Sequence, residues 1–288
     1  MNEAISQILA TYEIRSLEDS LRALREVMQE IALLGLWRSK FFEKVAFYGG
    51  TALRVLYGLD RFSEDLDFSL LEKSESFDLA DYSEALKKEL ASFGFAVEIE
   101  SRAKPAGAAI QSAFLKADTR TQMITVEFDR GLVQQVPRNQ VLKIKLEIDT
   151  DPPPGFSTET RYLLRPVPFA VRTFSLPDLF AGKMHAVLCR EWKSRVKGRD
   201  WYDLVWFAAH HPELRISHLE QRMRQTGHWA GPMPLTAGGL RNLLTRRIDS
   251  VDIGQIRKEV EPFVKDATSL VLWSKEFFLD VASRIKTV

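Results

Sequence analysis

The chain has 288 residues, enough for one large domain or two moderate ones with a substantial core. Its composition is that of an ordinary globular protein, and with a net charge of +1 any surface for nucleic acid must be a local patch. The single cysteine, Cys189, excludes an internal disulfide and a cysteine-rich zinc cluster. The five histidines show no paired metal spacing, so we expect structural or surface roles for them.

The sequence contains no apolar run near the roughly 20 residues that a membrane span needs. Its N-terminus, "MNEAISQILATYE", is poor in basic residues and is interrupted by acidic ones, unlike a signal peptide. We therefore expect a cytoplasmic protein that does not contact a membrane.

The N-terminal half mixes helices and strands. Apolar residues at helical spacing predict three helices, after Ser16 to residue 34, at 51–58 and at 78–94. Alternating or short apolar runs predict five strands, at 44–48, 65–70, 95–102, 121–128 and 141–149. This pattern indicates an α/β arrangement in the first half of the chain.

Three consecutive prolines within residues 149–160 divide the chain. They cannot continue a helix or a central strand, and they stiffen the connection. Helical patterns dominate beyond them, including a helix that begins at Ser175 and carries Lys183. We predict an α/β domain at 1–155 and a mainly helical domain at 156–288.

Two aspartates stand one residue apart in the predicted strand "DLDFSL". Because side chains two apart on a strand share a face, Asp65 and Asp67 project together, while Leu66 and Phe68 project toward packing. Two neighbouring carboxylates repel each other unless they are fully solvated or a cation lies between them. Oxygen ligands of this kind suit Mg²⁺. A solvated polar strand face is the alternative interpretation.

A glycine pair precedes this strand, in Gly49–Gly50–Thr51 at the start of a predicted helix. Glycines allow a phosphate to approach the backbone closely, and free N–H groups at a helix N-terminus attract anions. Thr51 can cap the helix or donate its hydroxyl to the phosphate. A simple tight turn is the alternative, but the order of glycines, short helix, Arg61 and D-x-D predicts a phosphate cradle beside a metal site.

A third carboxylate is expected from a neighbouring strand. In "KIKLEID", Glu147 and Asp149 lie on one strand face together with two lysines. Glu147 is the first candidate and Asp149 the second, and the sequence does not decide between them. Three acidic groups around one or two Mg²⁺ or Mn²⁺ ions fit nucleotidyl transfer from an NTP, with the third carboxylate placed to act as a general base.

Four ordered blocks resemble the AbiEii/AbiGii toxin family of minimal nucleotidyltransferases, which are related to DNA polymerase β. They are "GGTALRVLYG…RFSEDLDFSL", "IKLEI", "SLPDLFAGKMHAVLCR" and "GRDWYDL". The resemblance implies an α+β fold, a mixed nucleotidyltransferase sheet flanked by helices and followed by a mainly helical part. It favours Glu147 as the third carboxylate, and it implies an NTP-using, Mg²⁺-dependent enzyme with a cognate antitoxin.

The resemblance also assigns residue roles. Catalytic residues would be Asp65, Asp67, Glu147, Lys183 and Asp200, with Gly49, Gly50, Thr51, Arg61, Ser63 and Lys183 at the nucleotide and Asp65, Asp67 and Glu147 at the metal. Each role from the helical half has an ordinary alternative. A lone lysine such as Lys183 commonly extends to solvent, and Asp200 can serve as a helix cap.

A local basic segment, "CREWKSRVKGRD", is the candidate RNA-binding surface. Its cations are Arg190, Lys193, Arg195, Lys197 and Arg199. Such a segment can follow a phosphate backbone, with a tryptophan available for stacking. A solvated charged loop explains it equally well.

The leading functional hypothesis is a toxin that transfers NMP from an NTP to an RNA acceptor, with the tRNA 3′ end as the favoured one. A second hypothesis keeps this chemistry but places the nucleotide on a protein side chain or an aminoglycoside hydroxyl. A third, from another class, is a non-catalytic module that binds RNA or protein. The intact D-x-D motif argues against the third.

Overall fold

The computed structural model describes residues 3–102, 109–190 and 197–288. The helices within these residues are α1 (Glu3–Leu9), α2 (Leu17–Arg38), α3 (Gly49–Tyr57), α4 (Ser83–Ser92), α5 (Thr119–Thr125), α6 (Arg130–Gln135), α7 (Leu176–Cys189), α8 (Gly198–His210), α9 (Ile216–Gln225), α10 (Ala237–Ser250), α11 (Ile253–Val260) and α12 (Lys275–Ser283). The strands are β1 (Val45–Tyr48), β2 (Leu66–Leu70), β3 (Glu98–Arg102), β4 (Ile110–Asp118), β5 (Val141–Asp149), β6 (Thr158–Leu163), β7 (Phe169–Phe174), β8 (Glu213–Leu214) and β9 (Lys286–Thr287). No helix in the described part is both long and apolar enough to cross a membrane.

The chain forms two compact units, and each is assembled from separate segments. The first unit contains Met1–Leu56, Glu64–Pro152 and Thr160–Thr173, and the second contains Tyr57–Ser63, Pro153–Glu159 and Phe174–Val288. The predicted domains were continuous, whereas each unit combines segments from both sides of residue 155. Helices α7 to α12 all belong to the second unit.

A seven-stranded mixed sheet runs in the order β3-β4-β5-β2-β1-β7-β6. Strand β2 lies at its centre, antiparallel to β1 and parallel to β5. Strand β4 pairs antiparallel with both β3 and β5, and β1 pairs parallel with β7. The expected fold class is confirmed: an α+β protein whose mixed sheet is flanked by helices and followed by a mainly helical part.

Helix α2 and the sheet supply much of the core of the first unit. Ser16 caps α2 by accepting a hydrogen bond from Asp19 N–H, as its sequence position predicts. The helix packs against α4 and β5. In the sheet, Phe68 packs between Phe41 and Phe47, with ring centroids 5.0 and 5.2 Å away. A buried aromatic side chain of this kind contributes about 1.5–3 kcal/mol to stability.

The alternating apolar and polar residues of β5 were sufficient to predict this strand. Its burial alternates along the whole strand, and Leu142, Ile144, Leu146 and Ile148 are all buried. The polar residues between them lie on the other face, which includes both candidate third carboxylates. The period of two therefore separates a core face from a polar face.

The prediction of a strand at 121–128 is wrong, because this segment forms helix α5. Asp118 caps the helix, with its carboxylate accepting a hydrogen bond of 2.8 Å from Thr121 N–H. The helix buries Met123 and Gln122. The apolar spacing of this segment fits both a helix and a strand, and the cap at Asp118 favours the helix. The strand that pairs antiparallel with β5 is β4, and it was not predicted from the sequence.

Helix α2 also buries two glutamates, Glu26 and Glu30. Glu26 forms an ion pair with Arg54, and Glu30 Oε1 accepts a hydrogen bond of 2.6 Å from Arg165 Nη2. Burial raises the pKa of Glu30 to about 7, although Arg165 opposes the shift. Its proton is therefore held more tightly in the folded protein than in the unfolded chain.

Substitution of Glu30 by glutamine tests this shift. The folded state keeps the Glu30 proton up to about pH 7, whereas the unfolded chain loses it near pH 4.5, so this residue destabilises the fold as pH rises through that interval. Glutamine cannot ionise. We expect the free energy of unfolding of Glu30→Gln, relative to wild type, to increase by about 1–3 kcal/mol between pH 5 and pH 8. Urea denaturation at both pH values measures it, and a constant difference would contradict the shift.

Candidate functional site

Asp67 and Glu147 lie side by side at the centre of the sheet. In the parallel pairing of β2 with β5, Asp67 is the direct partner of Glu147. On the other side of β2, Asp67 is opposite Tyr48, and on the other side of β5, Glu147 is opposite Ser112. Direct partners point to the same face, with neighbouring strands about 5 Å apart. The two carboxylates therefore share the polar face, where both residues are half-buried.

The register distinguishes the two candidate third carboxylates. Asp149 is opposite Ser69, two residues along the strands from the Asp67–Glu147 pair. Its Oδ1 accepts a hydrogen bond of 3.0 Å from Asp151 N–H, at the end of the strand. Glu147 is therefore the acidic residue that β5 places beside Asp67. Its assignment as a metal ligand stays a prediction.

Asp65 lies immediately before β2 and is held through its backbone. The hydroxyl of Thr51 donates a hydrogen bond to the Asp65 carbonyl oxygen. Thr51 is fully buried in the first turn of α3, which begins at Gly49 and includes Gly50, rather than at residue 51 as expected. Thr51 thus fastens the start of α3 to the residue that begins the D-x-D motif, and its predicted contact with a nucleotide stays a prediction.

Gly49 makes room for the carboxylate of Asp67. Its φ of +85° is in the left-handed region, and a Cβ on this residue would lie 2.3 Å from Asp67 Oδ2 and 2.9 Å from Asp67 Cβ. No side chain fits there without displacing the aspartate. The Asp67 carboxylate therefore lies against the N-terminus of α3, where the helix dipole favours negative charge.

Lys145 is a residue of this site that the sequence analysis did not single out. Its ammonium lies 2.6 Å from Glu147 Oε1 on the same face of β5. We call Asp65, Asp67 and Glu147 together the acidic row. Lys145 adds one positive charge beside this row. The signal was present in "KIKLEI", because a lysine two residues before an acid on a strand shares its face.

The donor chemistry of the acidic row fits a hard divalent cation. All its side-chain donors are carboxylate oxygens, two of them on neighbouring strands, and Mg²⁺ and Mn²⁺ prefer oxygen ligands. The row also fits a cation electrostatically, because neighbouring carboxylates repel each other unless positive charge lies nearby. Asp65, Asp67 and Glu147 are the residues that would hold the ion.

In the second unit, Asp203 binds two cations. Arg61 forms a bidentate pair with it, Nε to Oδ1 at 2.6 Å and Nη2 to Oδ2 at 2.7 Å, and Lys183 Nζ lies 2.7 Å from Oδ2. Arg61 and Asp203 are fully buried, and Lys183 is only 15% exposed. Burial by itself would raise the pKa of Asp203, but the charges of Arg61 and Lys183 outweigh it and hold that pKa below its usual value.

This cluster identifies the partner of Lys183 as Asp203 rather than Asp200. Asp200 instead accepts a hydrogen bond of 2.9 Å from Arg190 Nη1. Asp200 and Asp203 are three residues apart on α8 and so share a face of that helix, but a role was predicted only for Asp200. The roles of Asp200, Lys183 and Arg61 in catalysis or nucleotide binding stay predictions, as does that of Ser63, which is nearly buried.

The basic segment is only partly described. Lys193 and Arg195 lie outside the described residues. Arg190 pairs with Asp200, and the Arg199 guanidinium lies over the Phe263 ring, 4.1 Å from its centroid. Burial lowers the pKa of Lys197, and the nearby charge of Arg190 lowers it further. The three described cations thus have neighbours within the second unit, and their predicted contact with RNA stays a prediction.

Comparison with known families shows which protein family this chain belongs to. The family model described as nucleotidyl transferase AbiEii toxin of a type IV toxin–antitoxin system matches residues 31–281. The chain belongs to the AbiEii family. The match covers most of the sequence, from within α2 to within α12, and it includes all the candidate site residues. The resemblance stated from the four sequence blocks is confirmed, and family membership supports a transferase.

Solved structures agree on the fold. A Helicobacter pylori protein described as a candidate nucleotidyltransferase aligns with 18% identity and a TM-score of 0.50, covering 90% of this chain and 91% of that chain. JHP933 from Helicobacter pylori aligns with 17% identity and a TM-score of 0.50, covering 90% and 88%. At these identities the likeness concerns the fold alone. No curated protein matches this AbiEii-family chain.

Alanine at Gly49 tests the close approach of Asp67. Gly58→Ala is the matched control. The φ of Gly58, +76°, imposes the same backbone strain on alanine, but a Cβ there would meet nothing within 4 Å. Both variants should lose about 1 kcal/mol from the left-handed backbone. We expect Gly49→Ala to lose a further 1–3 kcal/mol or so, because the added Cβ collides with Asp67. Chemical denaturation measures both, and equal losses would contradict the packing described here.

Proposed function

We propose that this AbiEii-family protein is a nucleotidyltransferase toxin that uses a divalent cation to transfer NMP from an NTP to the 3′ end of tRNA. The observation that carries the proposal is the register of β2 and β5, which makes Asp67 and Glu147 direct neighbours. Carboxylates on adjacent strands, next to a third one at Asp65, are the arrangement that an oxygen-ligated cation requires. Family membership supplies the reaction class.

The acidic row has two tasks in this proposal. Asp65, Asp67 and Glu147 would hold Mg²⁺ or Mn²⁺, which when bound neutralises triphosphate charge and favours the attacking hydroxylate. Glu147 is also placed to accept the proton of the attacking hydroxyl, with Asp149 as the alternative base. Lys145, 2.6 Å from Glu147 Oε1, would orient that carboxylate.

The nucleotide phosphates would lie at the start of α3. Gly49 and Gly50 carry no side chain there, and backbone N–H groups at a helix N-terminus favour an anion. Thr51 supports this turn by bonding to the Asp65 carbonyl. Arg61, Ser63, Lys183 and Asp200 are proposed as further participants because they lie in the family motifs.

The acceptor would be an RNA 3′ hydroxyl. Its oxygen attacks the α-phosphorus of the NTP, the bond to the β-phosphate breaks, and pyrophosphate leaves. The cations Arg190, Lys193, Arg195, Lys197 and Arg199 would contact RNA phosphates. A cognate antitoxin is the proposed protein partner, because the family is described as part of a type IV toxin–antitoxin system.

A labelled-transfer assay tests the proposal. The purified protein is incubated with Mg²⁺, each α-labelled NTP in turn, and either total tRNA, cell protein or an aminoglycoside. We expect label in tRNA. We expect Asp67→Asn and Glu147→Gln to reduce transfer by roughly 100-fold or more, because several kcal/mol of charge stabilisation depends on the bound ion.

Asp149→Asn is the matched control, because Asp149 lies on the same face of β5 but opposite Ser69. It should keep transfer within about threefold of wild type if Glu147 is the third ligand. If the label enters protein or the aminoglycoside instead, that molecule is the acceptor and the proposal of tRNA is wrong. Absence of transfer with every NTP and acceptor would contradict the enzymatic proposal and favour a non-catalytic binding module.

A further inference from the structure

Two histidines and the single cysteine meet in the second unit. His185 and Cys189 lie one helical turn apart on α7, so they share a face of that helix. His228 follows α9 in sequence and reaches the same place. One nitrogen of each imidazole and the Cys189 sulfur lie within 4.8 Å of one another. Histidine nitrogen and cysteine sulfur are common zinc ligands in proteins.

The two rings are held by one hydroxyl. His185 Nε2 and His228 Nδ1 each lie 2.9 Å from Thr226 Oγ1. Thr226 directs its own hydrogen to the carbonyl oxygen of Arg222, 3.0 Å away, so the hydroxyl accepts from both rings. An oxygen that accepts the second N–H of an imidazole is the contact that orients histidine ligands around metals. Thr226 makes this contact with His185 Nε2 and His228 Nδ1, so an ion would bind the other nitrogens, His185 Nδ1 and His228 Nε2.

The donors of this cluster favour a thiophilic ion. The thiolate is the form of cysteine that binds a metal, so an ion that binds here would displace the Cys189 proton to solvent. Zn²⁺ does this readily, whereas Mg²⁺ prefers oxygen ligands. The positive charges of Arg222 and Arg190 act on His185, so they lie near the cluster.

We propose that His185, Cys189 and His228 form a zinc site, with a water molecule in the fourth position. The site is separate from the acidic row and does not depend on the proposed nucleotidyl transfer. Its two nitrogen donors and one sulfur donor select a borderline-soft ion, whereas the acidic row offers only oxygen. The negative thiolate offsets part of the charge of the ion beside Arg222 and Arg190.

The geometry needs only a small adjustment. Tetrahedral zinc bonds of about 2.0–2.3 Å place neighbouring ligand atoms about 3.3–3.6 Å apart. Ligand atoms within 4.8 Å of one another therefore need to move closer by at most about 1.2–1.5 Å. His228 is exposed and gives the ion a route from solvent, while Cys189 is buried and anchors the site. A bound ion would join the turn after α9 to α7, the helix that carries Lys183.

Metal titration tests the site. Full-length protein is treated with a chelator, titrated with Co²⁺ as a spectroscopic probe, and then back-titrated with Zn²⁺. We expect a near-ultraviolet thiolate charge-transfer band with the intensity of one thiolate-bound Co²⁺ per chain, and loss of this band when Zn²⁺ displaces that Co²⁺. Cys189→Ser should abolish the band, and His228→Ala should weaken Zn²⁺ binding by roughly 10–100-fold.

His210→Ala is the matched control, since it removes an exposed histidine of the same unit outside the cluster, and its Zn²⁺ affinity should equal that of wild type. Far-ultraviolet circular dichroism verifies that each variant is folded, and His228→Ala is the decisive variant because its side chain is exposed. A wild-type protein without the charge-transfer band would overturn the proposal, as would equal Zn²⁺ affinity in His228→Ala. Loss of nucleotidyl transfer in the Asp67 variant leaves this result unaffected.

Discussion

The parallel pairing of β2 with β5 places two carboxylates next to each other on the polar face of the sheet. Asp67 and Glu147 have the same charge, so this arrangement costs electrostatic free energy unless positive charge is nearby. Two features of the chain supply it: the ammonium of Lys145 beside Glu147 and the N-terminus of α3 beside Asp67. In the proposed function, a cation held by the acidic row would add further positive charge. The turn at Gly49 and the side chain of Lys145 thus both reduce the repulsion between Asp67 and Glu147.

Gly49 links this constraint to the fold of the first unit. Its positive φ turns the chain from β1 into α3, and its missing side chain lets Asp67 lie against the helix start. Thr51 then fastens that helix start to Asp65 through the backbone carbonyl. The glycine and threonine in the motif therefore position both aspartates, whatever further contact they make with a nucleotide.

The sequence was sufficient where a local pattern determines the structure. Alternation in Val141–Asp149 predicts β5, and the D-x-D spacing predicts that two carboxylates act together. Long-range pairing was not predictable in this way. The register that places Glu147, rather than Asp149, opposite Asp67 depends on β2, which is distant in the sequence, and the β4 partner of β5 was missed. Segment 121–128 fits helix and strand periods alike, and the cap at Asp118 decides for α5.

The same limit applies to side-chain clusters in the second unit. Asp203 binds both Arg61 and Lys183, yet nothing near it in the sequence separates it from Asp200. His185 and Cys189 show their one-turn spacing in the sequence, but the third member, His228, is supplied by a later segment. Folding brings these residues together across long sequence separations, so their roles become visible only in the structure.

The central claim is that the acidic row binds a divalent cation together with a nucleotide. Electron paramagnetic resonance of Mn²⁺ tests it directly, with a non-hydrolysable NTP analogue and either wild-type protein or Asp67→Asn. We predict that the wild type binds Mn²⁺ in the presence of the analogue and that Asp67→Asn binds it at least about tenfold more weakly, because one carboxylate ligand is lost. Equal binding by the two proteins would contradict the claim.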